Sequence, residues 1–291
     1  MLRSLLLAGS ISAALFSAAV PAQTTLELIE AGAAPRQQVR YQYQAGRAER
    51  AAMDINMQLV LSLGGMQMPM GAVPPIQMIL SLRTAEVATD GSAKMEFEIV
   101  SAEARGDDPQ ATRINQSLQG AKGLSGRYRV DTRGQIKDGQ INAPPGGAPA
   151  GGADLLEDFE TTMQQMAAPF PEEAIGPGAR WRMTQHVTNN NMKMSQTAEY
   201  TLRARNDNRI ELDVKMLEAS IQDIAGLPPG TKVDSVRMQG GGTNAVQLDR
   251  LVPTSTVEAD IAIALSLNVQ GMAQNMDMSM KMRQGVTPAA Y

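Results

Sequence analysis

Met66, Met68 and Met70 alternate in what reads as a Gly/Met/Pro loop from Gly64 to Pro75. Of all the side chains here, these three offer the clearest metal chemistry. Thioether sulfur is a soft ligand that favours Cu(I), so copper binding through Met66, Met68 and Met70 in an exported protein is one expectation. Imidazole and thiolate partners are scarce: the chain has no cysteine and one histidine. Cys-based catalysis and Cys/His zinc sites are therefore excluded. His186 shares a strand face with Arg182, Thr184 and Thr188, opposite Trp181 and Met183, which is the setting of a rim histidine rather than of a general base.

The remaining polar groups do not assemble a catalytic motif. Glu96 and Glu98, and likewise Glu211 and Asp213, are spaced by two, which puts each pair on one wet face of a strand. Asp154, Glu157, Asp158 and Glu160 lack the spacing of a calcium loop and suit a helix N-terminus. No nucleophile elbow or phosphate-binding loop occurs, and Gly240-Gly241-Gly242 reads as a turn. The expectation is a protein with no catalytic residues and no cofactor.

The abundant residue is methionine, at 20, while aromatics make up only 3%. Most methionines fall on the apolar side of period-2 patterns, where alternate residues of a strand face the same way. Met276, Met278 and Met280 alternate with Asp277, Ser279 and Lys281; Met53, Ile55 and Met57 do the same with Asp54 and Asn56. Flexible thioethers can re-pack around a guest. Met53, Ile55, Met57, Met276, Met278 and Met280 are therefore the candidate ligand-binding residues, on a concave face that takes a hydrophobic ligand, a lipid or an envelope protein. A filled core in a purely structural envelope protein is the alternative.

These residues need long strands to hold them. Alternation recurs from Met53 to Leu63, Ile76 to Leu82, Met95 to Ile99, Trp181 to Val187, Met192 to Leu202, Ile210 to Met216 and Val257 to Val269, and in shorter form at Val39, Tyr41 and Tyr43. Two helices interrupt the strands. Asp108-Pro109 caps a short helix over 109–119, and Asp154 with Glu157 forms a capping box for an amphipathic helix over 154–167. A further short helix is expected around Leu26 to Ile29.

Arg3, the apolar stretch from Leu5 to Val20, and Val20-Pro21-Ala22 have the form of a secretory signal peptide at 1–22. The chain is thus expected in the periplasm or secreted, and not membrane-spanning once the signal is removed. A net charge of −4 without a long Lys/Arg run argues against nucleic acid as a partner. Alternating strands also fit an outer-membrane barrel, but Pro288 and the missing aromatic girdles argue against one.

The remaining boundaries are a lead-in at 23–36, a β-rich half at 37–143, a Pro/Gly linker with the amphipathic helix at 144–178, and a second β-rich half at 179–291. The run 94–99 matches 209–214 in character, and Glu103-Ala104 matches Glu218-Ala219. The fold class expected is mainly β (α+β): two pseudo-repeated, curved antiparallel sheets with two short helices, like an open barrel.

Pro169-Phe170-Pro171 and Gly176-Pro177-Gly178-Ala179-Arg180-Trp181, placed between two strand-rich halves behind a signal, resemble the junction of a family of bacterial exported β-rich proteins of unknown function. At the level of fold the pattern is also similar to the periplasmic lipoprotein carriers. That resemblance implies an unclosed barrel wrapped round a helix and an acyl-chain cavity.

Overall fold

Ile261, Ile263 and Leu265 lie on one face of a 16-residue strand, with Asp260 exposed on the other. The alternation therefore is strand alternation, and it organises the molecule. The structure, a computed structural model, describes residues 23–68, 73–142, 168–188, 192–224, 231–269 and 272–290. Residues 1–22, expected as a signal peptide, Met70, and residues 143–167, with the amphipathic helix expected at 154–167, fall outside them.

The described strands are β1 (Gln23–Glu30), β2 (Ala48–Leu63), β3 (Met66–Met68), β4 (Ile76–Val87), β5 (Ala93–Ala104), β6 (Ser125–Val130), β7 (Ile136–Asn142), β8 (Arg180–Thr188), β9 (Met192–Asn206), β10 (Arg209–Ile224), β11 (Lys232–Gln247), β12 (Thr254–Val269) and β13 (Met272–Ala289). They form one antiparallel sheet in the order β1-β8-β9-β10-β11-β12-β13-β2-β4-β5-β6-β7, with β3 paired to β2. Two separate sheets were expected. The join is β13, which pairs with β2 from Met276 opposite Leu63 to Ala289 opposite Arg50. Pro288 is accommodated there because β12 has already ended, its first pairing with β13 being Ser255 opposite Val286, so no ladder N–H is missed on that side.

The edges β1 and β7 do not pair, and the sheet is not closed. It nevertheless curls: Thr24 on β1 and Ile136 on β7 line one cleft, with Pro169 beside them. Two irregular crossings seal that end. Tyr41 N donates to Thr132 O at 2.7 Å and Gln42 N to Leu248 O at 2.7 Å, so the segment through Val39, Tyr41 and Tyr43 bridges distant turns. The strand expected there is absent because its hydrogen bonds go to separate carbonyls instead of one ladder. Phe170 N donates to Arg133 O at 2.8 Å, and Gln37 pairs with Ile175 as an isolated bridge.

Three other expectations need correction. Leu26 to Ile29 is strand, not helix, because Leu26 and Leu28 pack inward opposite Met183 and Trp181. Gly240-Gly241-Gly242 lies in the middle of β11 rather than in a turn. The absent side chains allow close approach, since a Cβ on Gly242 would stand 1.9 Å from Thr256 O. The Gly64–Pro75 stretch contains the short strand β3.

The helix expected at 109–119 forms as α1 (Pro109–Leu118). Asp108 Oδ1 accepts from Gln110 N at 2.8 Å and Ala111 N at 2.9 Å, satisfying two of the free donors at the helix start. Asn115 fastens α1 to the end of β5 by donating to Ala104 O at 3.0 Å and accepting from Ala104 N at 2.6 Å. Among the described residues, no helix is long and apolar enough to cross a membrane.

Two main apolar clusters sit on the inner face. One gathers Val39, Phe170, Trp181, Leu202, Ile210 and Leu212, and the other Met53, Leu80, Leu82, Phe97, Ile99 and Val286. Glu49, only 6% exposed, lies between β2 and the β11–β12 turn. Its carboxylate accepts from Arg47 Nε at 2.8 Å and from the backbone N of Leu251 at 3.1 Å and Val252 at 3.3 Å. Arg250 Nε stands 2.8 Å away as a second counter-ion. A buried carboxylate is tolerable when so many donors meet it.

Candidate functional site

The inner face is not filled everywhere. Over β8 to β13 it forms a partly enclosed trough of about 410 Å3, lined mainly by aliphatic side chains and thioethers. The register builds its floor in rows. Met280 on β13 faces Ile261 on β12, Met278 faces Ile263, and Met282 faces Ala259. On β11, Met238 faces Ile261 and Val236 faces Ile263. Met183, Met216, Met238, Met278, Met280 and Met282 all line the space, so six thioethers surround it. Met278, Met280 and Met282 are half-buried along this space.

The trough ends against the sealed part of the sheet. Tyr200 stacks on Trp181 with ring centroids 5.7 Å apart and an 8° interplanar angle, and Trp181 Nε1 donates to Pro169 O at 3.0 Å. Burial pushes the Tyr200 phenol up to about 12, because a phenolate there would be cut off from water. Tyr41, Tyr43 and Tyr128 are shifted upward by the same cause. At the sealed end, only about 50 Å3 remains between Tyr41, Tyr43, Tyr128 and Leu251. Aromatic packing there leaves no room for a guest.

Of the six candidate residues, Met278 and Met280 line the trough. Met276 lies on the same face, half-buried between Leu265 and Leu63. Met53 is 1% exposed inside the first-half core, and Ile55 packs against that core. Met57 borders a broad depression of about 930 Å3 together with Asn56, Gln58, Lys281 and Arg283. The six therefore do not form one site. The structure adds Met183, Met216, Met238 and Met282, and with them Ile261 and Ile263. Their alternation was visible, but which strands lie side by side depends on topology.

The thioethers considered for copper are placed in part. Met66 is 76% and Met68 48% exposed on β3, while Met70 lies outside the described residues. No group of three or more His, Cys, Asp or Glu suited to a metal ion occurs among the described residues. The carboxylate pairs take part in outer-face ion pairs, Arg83 with Glu96 at 3.3 Å and Arg209 with Glu211 at 3.1 Å. His186 is exposed near the edge of the sheet, opposite Gln23 of β1.

No family model matches the chain, and comparison with curated proteins gives no match.

Proposed function

We propose that this chain is an exported, non-enzymatic protein that holds a hydrophobic ligand or the apolar part of an envelope partner in the trough over β8–β13. The observation that carries this reading is an apolar space of about 410 Å3 on the inner face, with six methionines among its lining residues. Ligand sites are typically cavities of roughly 300–1,000 Å3 with apolar walls and a few polar groups. Adaptable thioethers suit a chain-like guest with many conformers better than a rigid one. Export follows from the signal-like first 22 residues. An unclosed sheet with an apolar interior is also what the resemblance to exported β proteins and to the lipoprotein carriers implies.

The test is fluorescence enhancement of N-phenyl-1-naphthylamine, an apolar probe, with the wild-type chain and with Met280→Lys. Strong enhancement is expected for the wild type and little for the variant, with native mass spectrometry showing lipid co-purified from the periplasm. No enhancement in the wild type would leave a structural envelope role.

A second reading is supported by the outward exposure of Met66 and Met68. Cu(I) would bind there with Met70, and replacing all three by Leu would then weaken Cu(I) affinity in a competition titration. Duplication of a strand unit also gains support. The matching runs 94–99 and 209–214 lie on β5 and β10, each the second strand of an antiparallel hairpin, β4–β5 and β9–β10.

A further inference from the structure

The trough is neutral as well as apolar. Among the described residues that line it none is charged, although Glu258, Asp260, Lys281 and Arg283 alternate with lining residues on the same strands. Its hydrogen-bonding side chains are mainly amides and hydroxyls, and three of them gather where the trough meets the sealed core. Asn244 on β11 stands directly opposite Ser255 on β12. Two residues further along β12, Val257 faces Gln284 on β13. Opposed residues of an antiparallel pair hold their Cβ atoms about 4.5–5.5 Å apart and diagonal ones roughly 7–8 Å, so Ser255 stands between Asn244 on one side and Gln284 on the other, with each a neighbour of it.

That polar corner is incompletely satisfied. The Asn244 Oδ1 atom is buried and has no hydrogen-bond partner. Gln284 Nε2 directs one of its two N–H donors at the Met53 sulfur at 3.6 Å, a poor acceptor. A stranded carbonyl oxygen in an apolar wall is costly, and a donor brought by a guest would relieve it after a rotation of the carboxamide. Among the described residues no cation lines the trough to receive a carboxylate, and burying an unpaired charge is costlier still.

We infer that the guest is a single-chain amphiphile with an uncharged, hydrogen-bond-donating head, a hydroxyl or an amide. The head sits between Asn244, Ser255 and Gln284, and the aliphatic chain lies along Met282, Met280 and Met278. This assignment rests on the reading that the trough holds a hydrophobic ligand, and it fixes the chemistry and direction of that ligand.

The experiment is displacement of N-phenyl-1-naphthylamine from the full chain at pH 8 by dodecanol, dodecyl methyl ether and dodecanoate. The alcohol and the ether share a twelve-carbon chain and dodecanoate has one methylene fewer, worth about fourfold; beyond that they differ in whether the head donates, only accepts or is charged. Dodecanol is expected to displace the probe at about tenfold lower concentration than either of the others. Asn244→Leu and Ser255→Ala should each bring dodecanol to within about threefold of the ether while probe binding persists. Equal competition by the three compounds, or an advantage for dodecanoate, overturns the head-group assignment and leaves the apolar trough standing. An unchanged dodecanol preference in both variants overturns it as well. Failure of the probe to bind the wild-type chain removes the trough reading and this inference together. Should Asn244→Leu not fold, Ser255→Ala and the wild-type comparison decide.

Discussion

Met53 and Met280 lie on the same face of adjacent strands, and truncating each to Ala separates a filled interior from an open one. Met53 is 1% exposed, between Val286 on β13 and Met78 on β4. Losing its outer side-chain atoms forfeits roughly three methylene equivalents at about 0.8 kcal/mol each. A cavity term follows because the neighbours relax only in part, so the expected cost is about 3–4 kcal/mol. Met280 stands between Ile261 and Leu59, half-buried, with one side on the trough. About half of the transfer term applies, and no new cavity opens because the space already exists. The cost there should be about 1 kcal/mol.

Equilibrium urea unfolding followed by the fluorescence of Trp181, the chain's single tryptophan, measures both losses. With m near 3 kcal/mol/M, the midpoint should fall by about 1 M for Met53→Ala and by about 0.3 M for Met280→Ala. Probe at about 100 times its dissociation constant should then raise wild-type stability by ~2.7 kcal/mol. A Met280→Ala loss as large as that of Met53→Ala would mean that Met280 is close-packed. The trough would then be ordinary core, and the ligand reading would fall with it.

Further outcomes follow from the same contacts. Trp181→Phe removes the hydrogen bond to Pro169 O and part of the stack on Tyr200, and should cost about 2–3 kcal/mol by urea unfolding followed by circular dichroism. Gly242→Ala should abolish folding, because the new Cβ meets Thr256 O on the neighbouring strand. Gly285→Ala, whose Cβ would meet nothing closer than Ser255 O at 3.9 Å, should give a normal soluble yield. Alkaline pH should destabilise the fold. Above about pH 10 the unfolded chain releases its tyrosine protons, whereas folded Tyr200 keeps its own up to about 12. The folded state then binds more protons, and stability falls between these values by up to about 3 kcal/mol from this group. Tyr200→Phe should flatten that part of the pH–stability curve, and an unchanged curve would refute the assignment.

The fold was legible where one strand face is wet. On β12 and β13 the apolar series Ile261, Ile263, Leu265 and Met276, Met278, Met280 alternates with polar residues, and strict alternation has only one regular solution. Legibility failed where that contrast is missing. Gly240, Gly241 and Gly242 have no side chains to alternate, so the middle of β11 was read as a turn. The stretch from Leu26 to Ile29, expected as a short helix, is too brief to show a clear period, and Leu26 and Leu28 turn together against Met183 and Trp181 as a strand requires. The face presented by Tyr41 and Tyr43 was correctly read, but hydrogen bonds to Thr132 and Leu248 make the segment a crossing and not a ladder. The site was the least legible feature. Alternation says which way a side chain points, not which strand stands beside it, so Met53 and Met280 looked equivalent.

The difference between those two methionines comes from where the aromatic side chains sit. Tyr41, Phe170, Trp181 and Tyr200 form a chain of rings at one end of the sheet, with successive centroids 5.4–6.2 Å apart. Large rigid rings, each with few conformers to lose, fill space densely and close that end. The irregular crossings bring them in, and Trp181 Nε1 and Tyr41 Oη donate to Pro169 O and Ala168 O to fix the second crossing in place. Beyond Tyr200 no aromatic lines the space among the described residues, and methionine takes over the inner face. A thioether chain can cover apolar surface without committing to one packing arrangement, so the interior there keeps its oily character while leaving volume unclaimed. On the proposed reading, the rings hold the unclosed sheet together at one end and the methionines leave room for a guest at the other. Replacing Met278, Met280 and Met282 together by Phe should therefore stabilise the chain and abolish probe binding in one step, measured by urea unfolding and N-phenyl-1-naphthylamine fluorescence. A loss of stability with probe binding retained would show that the two ends do not divide the work in this way.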